Sequence, residues 1–429
     1  MPTAIIRGLS PIRTVLGNGA VVIVQQTSMT PAVTINASVQ GGGVYEPATK
    51  SGLAFLTGRV LDRGTERRPA AVIAEELDDR GVALRVSTAR HTTAVSCTCL
   101  AEDFDDVLAI VLDTVRYPVF PDVEVAKRRA ETLNTLRQDQ DNPAVRAVEA
   151  LFEMLYGGGH PYGRRSKGTI ETVEQMTRAD LVAYHGARFR PALLSLAIVG
   201  DVDPRHAVER AARELDGWAG AVADDAPLPP APAATERRER TIAIAGKSQS
   251  DIAYGFTAIK RLDPRYYAYY VMNNILGQFG LGGRLADNIR ERQGMAYYAY
   301  SSLDPSVAEG PLLIRAGVDP VNVERAVAAI DAEVAGLGGD GPTDDELAQS
   351  KQYLIGSIPR MLETNAGIAS FLQSEEQFGL GLDYDQVLPR HLGGVTIDEV
   401  RAAAAELLHP SRAAVAIAGP PAGNRTATT

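Results

Sequence analysis

The feature that most constrains this chain is a segment that occurs twice. Residues 177–200 and 396–419 each start on a threonine, pass through a helical pattern and an Arg-Pro or His-Pro turn, and end in an apolar strand closed by glycine. Thr177, Pro191 and Gly200 align with Thr396, Pro410 and Gly419 without a gap. A second correspondence in the same order pairs Gly81-Val82-Ala83-Leu84 with Gly294-Met295-Ala296-Tyr297. The period is far too long for a solenoid, so the chain reads as a tandem duplication of two like domains. Strand-like stretches at 21–25, 32–39, 82–85 and 92–100 are interleaved with helical periodicity at 53–61, 70–77, 104–115 and 123–136. Each domain is therefore expected to be α+β, a mostly antiparallel sheet packed with helices. Residues 221–236 carry the one dense run of proline and alanine, which predicts a semi-rigid linker between domains at 1–220 and 237–429.

Composition matters mainly for what it excludes. A formal charge of −10 over 429 residues argues against nucleic acid or an anionic membrane as the main partner. No run of about 18 apolar residues occurs, so no membrane-spanning helix is expected. Residues 1–16 lack the apolar core of a signal peptide, which makes the cytoplasm the expected location, or the periplasm if a leader was removed. Cys97 and Cys99 are the only cysteines and stand two apart on one strand, a spacing suited to two small core thiols and poor for a disulfide.

Residues 280–297 concentrate the polar chemistry. A glycine-rich loop containing Gly282 and Gly283 leads into a short helix whose Leu285 and Ile289, four apart, share an apolar face. Gly294 stands where a helix stop needs a left-handed residue, and a tyrosine-rich strand follows. Arg290 then ends the helix and Tyr297 opens the strand. The pair reads in two ways: a guanidinium and a phenol converging on one acceptor oxygen, or a solvated helix residue beside a half-buried strand residue. Leu84 occupies the matching place in the first half, so only one copy carries the pair.

Other motifs are negative. The glycines at 277–283 follow a helical stretch at 266–275 instead of a strand, so the dinucleotide-loop context fails. Neither a Walker-type phosphate loop nor a Gly-x-Ser-x-Gly elbow occurs. No two of the six histidines stand at i, i+4, and His160 in Gly-His-Pro-Tyr-Gly reads as a loop residue.

Taken in order, Leu16-Gly17-Asn18-Gly19, Gly52-Leu53-Ala54, Gly64-Thr65, His160-Pro161-Tyr162, Phe189-Arg190-Pro191, Gly282-Gly283-Arg284-Leu285 and Gly294-Met295-Ala296-Tyr297 make the chain resemble the pitrilysin/insulinase-type metallopeptidases. These are inverted zincins, and the resemblance is to their short bacterial and processing-peptidase branch. It implies two domains forming half of a clam-like chamber. Cutting members carry His-x-x-Glu-His on the helix after Gly-Leu-Ala, with a downstream glutamate as third zinc ligand. Here the matching residues are Phe55-Leu56-Thr57-Gly58-Arg59, so Phe55, Gly58 and Arg59 replace both histidines and the base. The helix expected to supply the third ligand places Lys127, Arg128 and Arg129 there, flanked by Glu124 and Glu131.

The resemblance also implies that Arg290 and Tyr297 match the arginine and tyrosine that reach a substrate's scissile carbonyl, with Gly282 and Gly283 at the substrate. The expectation is a subunit without cofactor of its own, paired as a heterodimer with a homologous His-x-x-Glu-His chain that holds zinc, acting on unfolded peptides. The alternative is a catalytically silent structural or peptide-binding subunit. A stand-alone enzyme using unrecognised groups is the third reading.

Overall fold

The computed structural model describes residues 8–221, 225 and 227–421. Its strands are β1 (Ile12–Val15), β2 (Val21–Gln26), β3 (Ala32–Val39), β4 (Arg85–Thr88), β5 (Thr93–Leu100), β6 (Leu194–Gly200), β7 (Arg238–Ala243), β8 (Ser250–Thr257), β9 (Ala296–Leu303), β10 (Pro311–Val318) and β11 (Ala414–Gly419). They form a six-stranded sheet in the order β1-β2-β6-β3-β5-β4 and a five-stranded sheet in the order β7-β11-β8-β10-β9. Apart from the extra edge strand β1, the two orders superpose. Both are antiparallel except for one parallel pair, β2 with β6 and β7 with β11, at the same place in each. The fold is thus α+β and duplicated.

The repeated segment supplies the centre of each sheet. Thr177 and Thr396 cap the helices Arg178–Arg188 and Ile397–Leu407, each closing a reciprocal capping box with Asp180 or Glu399. The Pro turns then feed β6 and β11. Gly200 and Gly419 end these strands for one steric reason. A Cβ on Gly200 would lie 2.1 Å from the Ala32 carbonyl oxygen, and one on Gly419 would lie 2.1 Å from Ser250 Oγ. Each glycine lets its strand pass the start of the next one.

The chain divides into two compact units that do not follow chain order alone. One comprises Met1–Leu136, Arg165–Pro227 and Ile358–Val387, the other Arg137–Arg164, Leu228–Ser357 and Leu388–Thr429. The first sheet is buried on both faces, which is why β6 is an almost unbroken apolar run. Leu194, Leu196 and Ile198 enter a core with Val22, Val24 and the helix Phe104–Arg116. Ala197 and Val199 turn the other way and, with Ile23, pack on Ile368, Ala369 and Leu372 of the helix Asn365–Phe378. That helix comes from the second half of the sequence. Gln373 fixes it by donating to the Asn36 and Ser195 carbonyls at 2.7 and 3.0 Å. N-terminal strand β1 is tied to it as well, through Arg13 and Glu376 at 2.7 Å.

The second unit takes a helix in return. Pro143–Tyr156, from the first half of the sequence, lies on β8 and β11. Gly255 leaves room for it, since a Cβ there would meet Leu151 at 3.1 Å. The neighbouring Tyr254 points to the opposite face and donates to Asp331 of the helix Val323–Asp340 at 2.9 Å. Each sheet is thus sandwiched between helices of its own half and one helix of the other.

One strand begins later than its pattern predicts. Residues 82–84 precede β4, because the Val82 amide closes the preceding helix on the Leu77 carbonyl at 2.9 Å while Gly81 turns left-handed at φ 64°. Cys97 and Cys99 are buried free thiols, both pushed up to about 12 by burial, and so are inert core residues.

Candidate functional site

The helix Leu53–Val60 starts without a capping side chain of its own; instead the buried Glu46 carboxylate accepts from the Gly52 and Ala54 amides at 2.9 and 3.0 Å. Its exposed face carries Arg59, whose guanidinium meets Glu131 on the helix Asp122–Gln140 at 2.7 Å. Arg128 binds the same carboxylate at 2.8 Å, and Arg128 first, with Arg59 behind it, holds Glu131 below the usual carboxylate range. A positive charge therefore already sits on Glu131, supplied by arginine. Gly58 is buried, and a Cβ there would stand 2.4 Å from Thr88 Oγ1 on β4. Phe55, Gly58 and Arg59 offer no donor atom to a divalent zinc, which takes sulfur, imidazole or carboxylate ligands. Among the described residues no group of three or more His, Cys, Asp or Glu could hold a metal ion. The site does not fit zinc.

In the second unit, the helix Tyr266–Asn273 widens at Asn274–Gln278 into i→i+5 hydrogen bonding, and the glycine loop follows. A second wide-turn segment, Ala286–Arg292, precedes β9. Such segments are rare and concentrate at functional sites. Two in one stretch need unusual packing, and the glycines provide it. Gly277 and Gly283 lie backbone to backbone, 2.8 Å from Gly277 Cα to a Cβ built on Gly283. Gly283 is buried and Gly282 exposed. Leu285 and Ile289 are fully buried, as their spacing predicts, and Gly294 turns left-handed at φ 60°.

Most polar side chains of this stretch are engaged. Arg284 is bidentate to Glu346 at 2.6 and 2.8 Å, Asn288 meets Glu333 at 2.5 Å, and Arg292 bonds Asp287. Tyr298 donates to the buried Asp251, and Tyr300 accepts from Arg315. Arg290 and Tyr297 are left out. Arg290 meets only its neighbour Glu291, at 3.4 Å, and Tyr297 is 83% exposed with no hydrogen bond among the described residues. The half-buried reading of Tyr297 therefore fails. Leu84, its counterpart in the duplication, instead packs on the first core. No hydrogen bond joins Arg290 to Tyr297; they stand exposed on either side of the Gly294 turn, Arg290 beside Glu291.

His160 is no ligand: its Nδ1 accepts from the Tyr162 amide at 3.0 Å, and its Nε2 bonds the Pro229 carbonyl at 2.9 Å. Burial pushes its pKa down. Arg315 is a polar feature that motif reading passed over. It is the one charge inside the apolar strand Pro-Leu-Leu-Ile-Arg-Ala-Gly-Val, and that interruption was its only sequence signal.

The duplicated α+β fold, with two arginines from two helices of the first unit closed on Glu131 and no metal-holding group among the described residues, is a scaffold without a metal site of its own. Residues 21–164 match the insulinase (M16) peptidase family and residues 175–354 match the M16 inactive domain. The chain belongs to the M16 peptidase family. It is 28% identical over 424 residues to an uncharacterized zinc protease of Mycobacterium leprae, covering 98% of this chain and 94% of that protein. A non-peptidase homologue from Helicobacter pylori is 23% identical, over 88% of this chain and 87% of the relative. Among solved structures, a peptidase M16 inactive domain from Pseudomonas fluorescens superposes with a TM-score of 0.90 at 26% identity, covering 96% of this chain and 98% of that one. No helix among the described residues is long and apolar enough to cross a membrane.

Proposed function

We propose that this chain is the zinc-less subunit of a two-chain peptidase, in which a homologous partner carries His-x-x-Glu-His and the metal while this chain contributes Arg290 and Tyr297 to the shared site. The observation that carries the reading is selective availability. Arg284 and Arg292 are hydrogen-bonded to carboxylates and Tyr298 and Tyr300 to partners in the sheet, while Tyr297 has no hydrogen bond among the described residues and Arg290 has only a loose, exposed ion pair with its neighbour Glu291 at 3.4 Å. A guanidinium and a phenol directed at a carbonyl oxygen stabilise the negative charge it gains in the transition state. Loss of one such donor typically costs roughly 10²- to 10³-fold in rate. Gly282, exposed in the loop, is the glycine that remains open to substrate, while Gly283 serves the packing of the loop.

A second reading, a silent structural or peptide-binding subunit, draws support from the Helicobacter pylori relative named a non-peptidase homologue. One experiment separates them. The chain is mixed with a homologous chain bearing the zinc motif, and hydrolysis of a quenched fluorescent peptide is followed for wild type, Arg290→Ala and Tyr297→Phe. The shared-site reading expects each substitution to lower kcat by about 10²-fold or more, with assembly unchanged. Full activity in both variants would sink it and leave the silent-subunit reading.

A further inference from the structure

Outside residues 280–297, the second unit holds a cleft of about 480 Å³ on the sheet face beside the start of the helix Pro143–Tyr156. Its centre is Arg315, half-buried on β10. The guanidinium has an aromatic cradle: Nη1 donates to the Tyr300 hydroxyl at 3.2 Å, and Tyr298 presents its ring 5.8 Å away. Tyr300 is its direct cross-strand neighbour on β9. No carboxylate among the described residues lies within ion-pair distance of Arg315. Arg237, Arg240, Arg265 and Arg284 of the same unit each have one.

The nearest acid in the cleft is unavailable. Asp251 is 4% exposed, and both its oxygens are taken, Oδ1 by Tyr298 and Oδ2 by Gln249 at 3.2 Å. What remains on the walls is mostly donor. Tyr300 accepts from Arg315, so its own proton is free to point outward. Asn142 uses its oxygen to cap Ala144 at 3.0 Å, leaving its amide hydrogens. Lys247 meets Asp141 at 2.6 Å and keeps two further N–H bonds. A half-buried guanidinium without counter-charge, ringed by donors, favours a planar anion able to take two parallel N–H bonds.

We infer that the Arg315 cleft binds a carboxylate carried by a peptide, either its C-terminus or an acidic side chain. The volume lies in the range of small-ligand pockets and exceeds what a simple inorganic anion needs. β9, whose Tyr298 and Tyr300 wall the cleft, is also the edge strand of its sheet, with one row of backbone groups unpaired by any strand among the described residues. An extended peptide pairing there delivers its end or a side chain to Arg315. The inference rests on the peptide-handling reading above only in taking the ligand to be a peptide.

The test uses the full chain without a partner. Three fluorescein-labelled valine-alanine octapeptides are titrated by fluorescence anisotropy: one with a free C-terminal carboxylate, one amidated, and one amidated but carrying an internal glutamate. The free-acid or the glutamate peptide should bind about tenfold or more tightly than the neutral one, and which of the two does so identifies the source of the carboxylate. Arg315→Gln should abolish the preference with its thermal midpoint unchanged; Tyr300→Phe, which keeps the ring, should reduce it. Equal binding of all three peptides, binding of none, or displacement by inorganic phosphate without any peptide preference overturns the inference. Carboxylate preference together with full activity of Arg290→Ala in the two-chain assay would retain the cleft and remove the shared site; the reverse result would do the opposite.

Discussion

Glu375→Gln should stabilise the protein at neutral pH. Glu375 lies on the helix Asn365–Phe378, is 2% exposed, and has no hydrogen-bond partner among the described residues for either carboxylate oxygen. Asp385, itself 8% exposed, keeps one unpartnered oxygen, Oδ1, while its other accepts from the Leu9 amide at 2.8 Å. Burial, with the Asp385 and Asp383 carboxylates behind it, pushes Glu375 up from an ordinary 4.5 to about 8. The folded protein therefore holds a proton that the unfolded chain releases. Stability from this site is complete below about 4.5 and is lost as pH rises through about 8. Each pH unit in that window removes about 1.4 kcal/mol, on the order of 3 kcal/mol by pH 7. Relaxation of the surroundings around a buried charge lessens this, so roughly 1–3 kcal/mol should be recovered by glutamine, which carries no charge and brings N–H donors for Asp385. Urea unfolding followed by circular dichroism just above pH 4.5 and at pH 8 tests it. Wild type should lose stability between the two, and the variant should lose less. An identical pH dependence in both proteins would refute the assignment of the proton to Glu375.

Three further outcomes follow from the packing described above. Gly58→Ala should cost about 1–3 kcal/mol by overpacking against Thr88, and Thr88→Ala should relieve most of that cost, a coupling readable in a double-mutant cycle. Placing histidine, glutamate and histidine at Phe55, Gly58 and Arg59 should therefore fail to create tight zinc binding while Thr88 is present, as metal analysis after dialysis would show. Residues 1–220 expressed alone lack the helix that covers Ile23, Ala197 and Val199, and should be aggregation-prone; co-expression with residues 221–429 should restore solubility. A soluble, cooperatively unfolding 1–220 fragment would contradict the structural role given to that helix.

Much of this fold is written locally. The two capping boxes, the Pro turns and the strands ending in Gly200 and Gly419 are short-range features, and they appear in the structure where the repeat places them. Leu285, Ile289 and Gly294 were readable for the same reason. The helix exchange was not, because the apolar face of residues 143–156 states that a sheet must cover it without stating which one. Nor does apolar spacing distinguish i→i+4 from i→i+5 hydrogen bonding, so the widened turns at 274–278 and 286–292 were invisible. The replaced residues Phe55, Gly58 and Arg59 could be read directly, but the Arg59–Glu131 pair joins helices distant in sequence. The Arg315 cleft is assembled from four separate stretches, and only the lone charge in β10 marked it.

The exchanged helices also bear on ancestry. Two copies of a single unit, each lending the other one helix, are a domain-swapped homodimer; joining them end to end yields a chain of this kind. Duplication by that route fuses partners that already depend on each other, instead of adding a spare domain beside a self-sufficient one. In such a pair neither copy can be lost, yet each is free to diverge wherever the exchange is not involved. Leucine at 84 and tyrosine at 297 are one such difference, three residues after the matching left-handed glycines Gly81 and Gly294.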